Sequence, residues 1–263
     1  MYCQSKEERS HLNTSINYLS NSVYLGRKDS LSTPYISPQL AYYHASGVYA
    51  TASLSYLARS EKSRLDLFTV GLGFERSFTE RITAGAWLEK YFYNVNSTNV
   101  QAEMKAMAGI YSEIDIGPVQ FEPSFSYSFA NKNDWIGGLN VSHTLFSKNK
   151  KLEITPRVSF NAATQNFYNS YFQNRRFGMV AKVPKGKKPP PQAIVDLQGA
   201  ARFKFLEDIL SAEIKYTTDR MEIYLLPSYI VPLNPASIKL GNKTIQEKLS
   251  NTFTFEMQFA FNF

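Results

Sequence analysis

TFTFEMQFAFNF, residues 252–263, alternates without a break. Phe253, Phe255, Met257, Phe259, Phe261 and Phe263 share one phase of a period of two, and Thr252, Thr254, Glu256, Gln258, Ala260 and Asn262 share the other. Successive side chains of a strand point to opposite faces, so this segment is a strand with one apolar and one polar face. A water-soluble sheet seldom leaves such an aromatic ladder uncovered. A strand of a transmembrane barrel does, because lipid is the solvent on its apolar side.

The same period recurs upstream. Phe68, Val70, Leu72 and Phe74 oppose Thr69, Gly71, Gly73 and Glu75; Ile82, Ala84, Ala86 and Leu88 oppose Thr83, Gly85, Trp87 and Glu89. Met104, Ala106, Ala108 and Ile110 oppose Glu103, Lys105, Gly109 and Glu113, and Val119, Phe121, Phe125, Tyr127 and Phe129 oppose Gln120, Glu122, Ser124, Ser126 and Ser128. With candidates at 13–25, 36–46, 48–57, 135–146, 152–166, 203–217, 221–233 and 252–263, the reading predicts about twelve strands, an even number as bacterial barrels use. Most are about 11 to 15 residues, long enough to cross a bilayer at barrel tilt, where a soluble strand averages about 5 to 6. Pro38, Pro123, Pro156 and Pro227 fall inside strands, and each predicts a bulge.

Connections alternate in length. Residues 44–47, 77–80, 115–118, 147–151 and 217–220 read as short periplasmic turns. Residues 26–35, 58–64, 94–100, 167–202 and 234–251 read as long extracellular loops, with 130–134 a short member of that set. The chain divides into a periplasmic tail, 1–11, and an all-β, antiparallel up-and-down transmembrane barrel, 12–263. Tyr91, Phe92 and Tyr93, then Phe167, Tyr168, Tyr171 and Phe172, then Trp135, sit where an upper aromatic girdle would lie.

Composition agrees. Hydrophobic residues are 43% of the 263 and mean hydropathy is −0.30, too low for a helical membrane protein. Polar lumen positions dilute a barrel to such values. The net charge of +7 is concentrated in one loop. Cys3 alone gives no disulfide within the chain and no thiolate cluster. Residues 1–10 have no apolar core, so the leader that an outer-membrane barrel needs is expected to be missing from this sequence.

LSNTFTFEMQFAFNF (249–263), PSYIVPLNPA (227–236) and VSFNAATQNFYNSYF (158–172) resemble outer-membrane β-barrel proteins of Bacteroidota, over about residues 67–263. The terminal Phe263 is similar to the aromatic that ends bacterial barrels and serves as their assembly signal. The resemblance implies the fold, a Gram-negative outer membrane, surrounding outer-membrane lipid and lipopolysaccharide, and the barrel-assembly machinery during insertion. It implies no catalytic or ligand set.

The inward parity class carries Glu75, Glu89, Glu103, Lys105, Glu113, Glu122, Glu153, Arg157, Glu213, Lys215, Glu222 and Glu256. Charge facing lipid is costly, so this segregation follows from the fold itself. Two readings follow: a narrow channel for passive diffusion of a small solute, or an accessory barrel with a filled lumen that acts through its loops or a partner protein. Arg157, Glu213, Lys215 and Glu256 fall nearest mid-height and are the expected constriction. Gly71, Gly73, Gly85 and Gly109 are expected to leave room on one wall. Arg175, Arg176, Lys182, Lys185, Lys187 and Lys188 form a basic, Pro-rich loop suited to lipopolysaccharide phosphates or an anionic solute. Nucleic acid is not an expected partner, since the nearby aromatics belong to the girdle. His11, His44 and His143 form no triad, and neither metal-ligand spacing nor a phosphate-binding Gly motif is present, so no enzyme activity and no cofactor are expected.

Overall fold

The computed structural model describes residues 10–29, 31–59, 63–171, 195–240 and 243–262. They form a closed antiparallel barrel. Its strands are β1 (His11–Leu19), β2 (Tyr35–Tyr43), β3 (Val48–Leu57), β4 (Arg64–Thr79), β5 (Ile82–Tyr93), β6 (Ala106–Ile116), β7 (Val119–Phe129), β8 (Asp134–Ser142, resuming at Leu145–Phe146), β9 (Leu152–Ala163), β10 (Lys204–Thr217), β11 (Met221–Pro232) and β12 (Thr252–Asn262). The thirteen segments of the sheet make twelve crossings because β8 has two pieces. Each strand pairs with its chain neighbour, and β1 pairs with β12, with Ile16 opposite Phe259 and Asn17 opposite Gln258. Closure removes the sheet edges and pairs backbone groups within the wall, which lipid demands.

All twelve predicted strands are present, and their parity holds. The outward set includes Ile16, Leu40, Leu72, Leu88, Ile110, Phe125, Leu210 and Phe253, each at least 45% exposed to solvent in the isolated chain. Such a continuous apolar outer surface is stable only in a bilayer. Trp135 belongs to the outer girdle, stacked on Phe125 at 5.4 Å.

The prolines do not produce bulges. Register shifts occur at Ser55/Tyr56, Ser77/Thr79 and Asn161/Ala162. Each of Pro38, Pro123, Pro156 and Pro227 points outward and keeps its pairing with one neighbour, as Pro38 does opposite Ile16. The ladder on the other side is interrupted there: between Ile36↔Tyr56 and Gln39↔Ser53, and between Tyr111↔Ser124 and Ile114↔Phe121. A missing N–H faces only one neighbour, so one side of the ladder loses its bond. The break in β8 lies opposite Pro156 for the same reason.

The other departures gather at the extracellular end. β1 stops at Leu19, not at 25, and the chain turns into a ribbon of Val23–Tyr24 and Arg27–Lys28. The turn uses positive φ at Leu25 (49°) and Gly26 (72°). A Cβ on Gly26 would lie 2.8 Å from Pro232 Cβ and 2.9 Å from the Leu206 carbonyl, so only glycine lets the ribbon reach the wall this closely. β6 begins at Ala106, which leaves Ala102 and Met104 buried in the preceding loop. β9 stops at Ala163, and Asn166–Tyr171 forms a one-turn helix, α1. Its first N–H groups, on Asn166 and Phe167, each donate to the Asp134 carboxylate at 2.7 Å. This is the N-cap arrangement, with the cap supplied from β8.

These loops pack together. Leu25, Val100, Phe167, Tyr168, Tyr171, Leu197, Ala200 and Ala236 form one buried apolar cluster with Ala163 and Leu206 of the barrel wall. A three-stranded ribbon, Val195–Leu197, Ser237–Leu240 and Lys243–Gln246, lies beside it. Phe167, Tyr168 and Tyr171 are therefore core residues of an extracellular cap, not girdle residues. Tyr91 and Tyr93 face the lumen, and only Phe92 of that trio is outward. Phe172 and Phe263 lie outside the described residues.

Candidate functional site

The candidate site is the lumen and the cap that covers its extracellular mouth. The cap is held by polar groups from distant segments. The Arg27 side chain is 1% exposed. Its Nη1 donates to the carbonyls of Leu25 and Leu206, at 3.2 and 3.1 Å. Its Nη2 donates to those of Leu233 and Asn234, at 3.0 and 2.8 Å. Glu247 completes the pair at 3.4 Å, and its carboxylate also accepts from Tyr168 Oη and the Ala236 N–H. A guanidinium has five N–H donors in a fixed fork and can serve four carbonyls and a carboxylate at once, where an ammonium has only three. On the other side of the mouth, Asp66 accepts from Tyr35 Oη, Ser97 Oγ and Arg64 Nε at 2.6 to 2.7 Å. That network ties the 94–105 loop to β2 and β4. Burial, with the charges of Asp134 and Glu207 nearby, pushes the Tyr24 phenol well above its ordinary range, so it stays neutral beneath the cap.

Below the cap the lumen is polar. The register turns Glu75, Glu89, Glu113, Glu122, Glu153, Glu213, Glu222 and Glu256 inward, together with Arg157 and Lys215. Carboxylates therefore outnumber bases. Lys215 is already paired with Glu222 at 3.1 Å and sits over the Tyr224 ring. The Arg157 Nε has no hydrogen-bond partner, and Glu113 lies within its electrostatic reach. Tyrosines hold three of the acids: Tyr91 Oη donates to Glu89 at 2.7 Å, Tyr224 Oη to Glu222 at 2.6 Å, and Tyr111 Oη to Glu75.

The expected constriction set is partly assembled. Glu213 and Glu256 come within electrostatic reach of each other, and Lys215 lies opposite Glu153 on the adjoining strand. Glu103 and Lys105 lie elsewhere, outside β6. Glu103 is in the loop turn before it, and Lys105 is exposed at the extracellular rim, donating to Asn131 Oδ1 at 3.3 Å. The basic loop residues Arg175, Arg176, Lys182, Lys185, Lys187 and Lys188 lie outside the described residues.

The glycine wall is not empty. Tyr49 lies over Gly73, Trp87 over Gly109 and Tyr111 over Gly85, each ring so close that a Cβ on the glycine would collide with it. Each glycine is the directly paired partner of its aromatic on the next strand. Parity alone placed Gly73, Gly85, Gly109 and Trp87 inward, but only the register brings in Tyr49 and Tyr111 and reveals that ring and glycine are matched. Two shallow apolar grooves, one lined by Ile16, Pro38, Leu54 and Phe68 and the other by Phe74, Phe78, Ile110 and Phe125, are on the lipid side and play no part in the lumen.

No protein-family model matches the chain, and no curated protein matches it in sequence. Solved structures do share its architecture. The KdgM porin, in complex with disordered oligogalacturonate, aligns over 95% of this chain and 99% of its own, with a TM-score of 0.50 and 8% identity. The NanC porin aligns over 95% and 98%, with a TM-score of 0.49 and 11% identity. LpxR from Salmonella typhimurium aligns over 95% and 99%, with a TM-score of 0.48 and 11% identity. At such identities the likeness is one of fold: a closed twelve-stranded barrel of the outer-membrane type.

Proposed function

We propose that the protein is a narrow, cation-preferring channel for small solutes in a bacterial outer membrane. The observation that carries this is the inner wall below the cap. It is lined by polar side chains and an excess of carboxylates, while the outer wall is apolar. A low-dielectric wall with one sign of charge inside concentrates the opposite ion. The KdgM porin was solved with oligogalacturonate, a polyanion. The acidic lumen here has the wrong sign for such a solute. The basic stretch from Arg175 to Lys188 is a separate feature, whose charge suits lipopolysaccharide phosphates at the outer surface.

Planar bilayers under a potassium chloride gradient test the proposal. The reversal potential is expected to take the sign of a cation-selective pore, and Glu256→Gln and Glu113→Gln are each expected to move it toward zero. An anion-selective reversal potential would sink the reading. One observation favours a second reading, an accessory barrel that acts through its loops: Phe167, Tyr168, Tyr171 and Leu197 of the cap are as buried as the residues of a protein core. Silence of both the native barrel and a variant with an opened cap would support that alternative.

A further inference from the structure

One row of the lumen wall is built of aromatic rings and glycines. Starting at the periplasmic rim, the register runs His11, Tyr43, Tyr49, Gly73, Trp87, Gly109 across six consecutive strands. His11 stacks on Tyr43 at 5.0 Å, and Tyr43 meets Tyr49 at 5.8 Å. Tyr49 and Trp87 pack against the glycines opposite them, which carry no side chain to cover the rings. Strands tilt relative to the barrel axis by about 35–45°, so a row perpendicular to them climbs. His11 and Tyr43 are at the ends of their strands, whereas Trp87 and Gly109 are mid-strand. The row is thus an aromatic track from the periplasmic mouth to mid-height.

We infer that this track binds organic cations carrying a primary or quaternary ammonium group. The faces of aromatic rings are electron-rich and attract cations, with tryptophan the strongest. Carboxylates flank the track on both sides. Glu75 lies one inward position below Gly73, held by Tyr111, and Glu89 lies one inward position above Trp87, held by Tyr91. Within strands β1 to β7, the only described inward-facing Lys or Arg is Arg64, which is committed to Asp66 at the extracellular end. Ring faces alone would also suit the apolar side of a sugar. Acids on both flanks, with no Lys or Arg beside Tyr49 and Trp87, select positive charge. The inference rests on the channel reading and names its solute class.

The folded full chain in detergent provides the test, because binding is read there without any current. The chain has two tryptophans, so Trp135→Phe leaves Trp87 as the reporter. Tetraethylammonium chloride is expected to change Trp87 emission saturably, while sodium chloride at equal ionic strength and glucose are not. Glu75→Gln is expected to weaken the apparent affinity about five-fold, the size of one exposed charge contact. Tyr49→Leu is expected to weaken it further. The same saturable change with glucose, no saturable change with the cation, or equal affinity in Glu75→Gln would each overturn the inference. A barrel that binds the cation but passes no current keeps the site and sinks the channel. One that passes current without binding does the reverse.

Discussion

Arg27→Ala is expected to open the extracellular mouth and leave the barrel folded. Among the described residues, Arg27 is the one side chain that joins the first loop, the top of β10 and the 233–247 segment. Its removal leaves carbonyls of Leu25, Leu206, Leu233 and Asn234, and the Glu247 carboxylate, without the donor they share. Deleting one partner of a buried ion pair costs about 3–5 kcal/mol. Apolar burial in the cap competes against this, at about 1.5–3 kcal/mol for each fully buried large side chain such as Phe167. The cap is a small core, so a loss of that size is a large share of its stability. The wall ladder contains no Arg27 hydrogen bond, so the folded, unboiled band on a gel should remain. Single-channel conductance should rise several-fold, and protease should gain access to the loops. Arg27→Lys should give an intermediate result, because an ammonium keeps the charge but has three donors for the four carbonyls and one carboxylate that Arg27 serves. Unchanged conductance in a variant whose cap is shown by proteolysis to be open would mean that resistance lies elsewhere in the lumen.

That prediction concerns the part of the molecule the sequence left dark. The wall was legible because lipid imposes a strict rule: one face apolar, one polar, strand after strand. Phe253 to Phe261 and Phe68 to Phe74 obey it, and the structure places them outward as read. The cap follows no periodic rule. Arg27 is bonded to groups about 180 to 220 positions away, and nothing in its neighbourhood marks it. Tyr91 and Tyr93 show how a reading by proximity fails. They stand next to a loop, which suggested the girdle, yet their parity already assigned them to the side of Glu89. Glu103 and Lys105 show the reverse error, parity extended past the end of a strand. The aromatic track falls between these cases. Gly73, Trp87 and Gly109 were assigned the correct face, but His11 was read as part of the tail although it begins β1, and matching Tyr49 to Gly73 and Trp87 to Gly109 requires the stagger between strands, which alternation does not encode.

The strictness of the rule makes the terminal strand the place for the sharpest test of the membrane assignment. Met257 and Gln258 are adjacent in β12 and point to opposite sides. Met257 lies between Tyr18 and Leu225 on the outer face, and Gln258 between Asn17 and Tyr224 on the inner. Both are well inside the strand, so backbone pairing and depth are nearly the same for the two. Met257→Arg places a guanidinium against hydrocarbon and is expected to cost about 2–4 kcal/mol near the bilayer midplane. Gln258→Arg places the same group in a lumen where Glu222 and Glu256 lie on the same face, and its cost should be far smaller. The measurement is the urea midpoint of each variant refolded into lipid vesicles, with the gel shift on boiling as the readout of folded barrel. In a soluble barrel with water outside, the order would reverse: Met257→Arg would be an ordinary surface change, within about 0.5 kcal/mol, and Gln258→Arg the one that strains a closed interior. A lower midpoint for Gln258→Arg than for Met257→Arg would therefore turn the barrel inside out, and with it every lumen assignment made from parity.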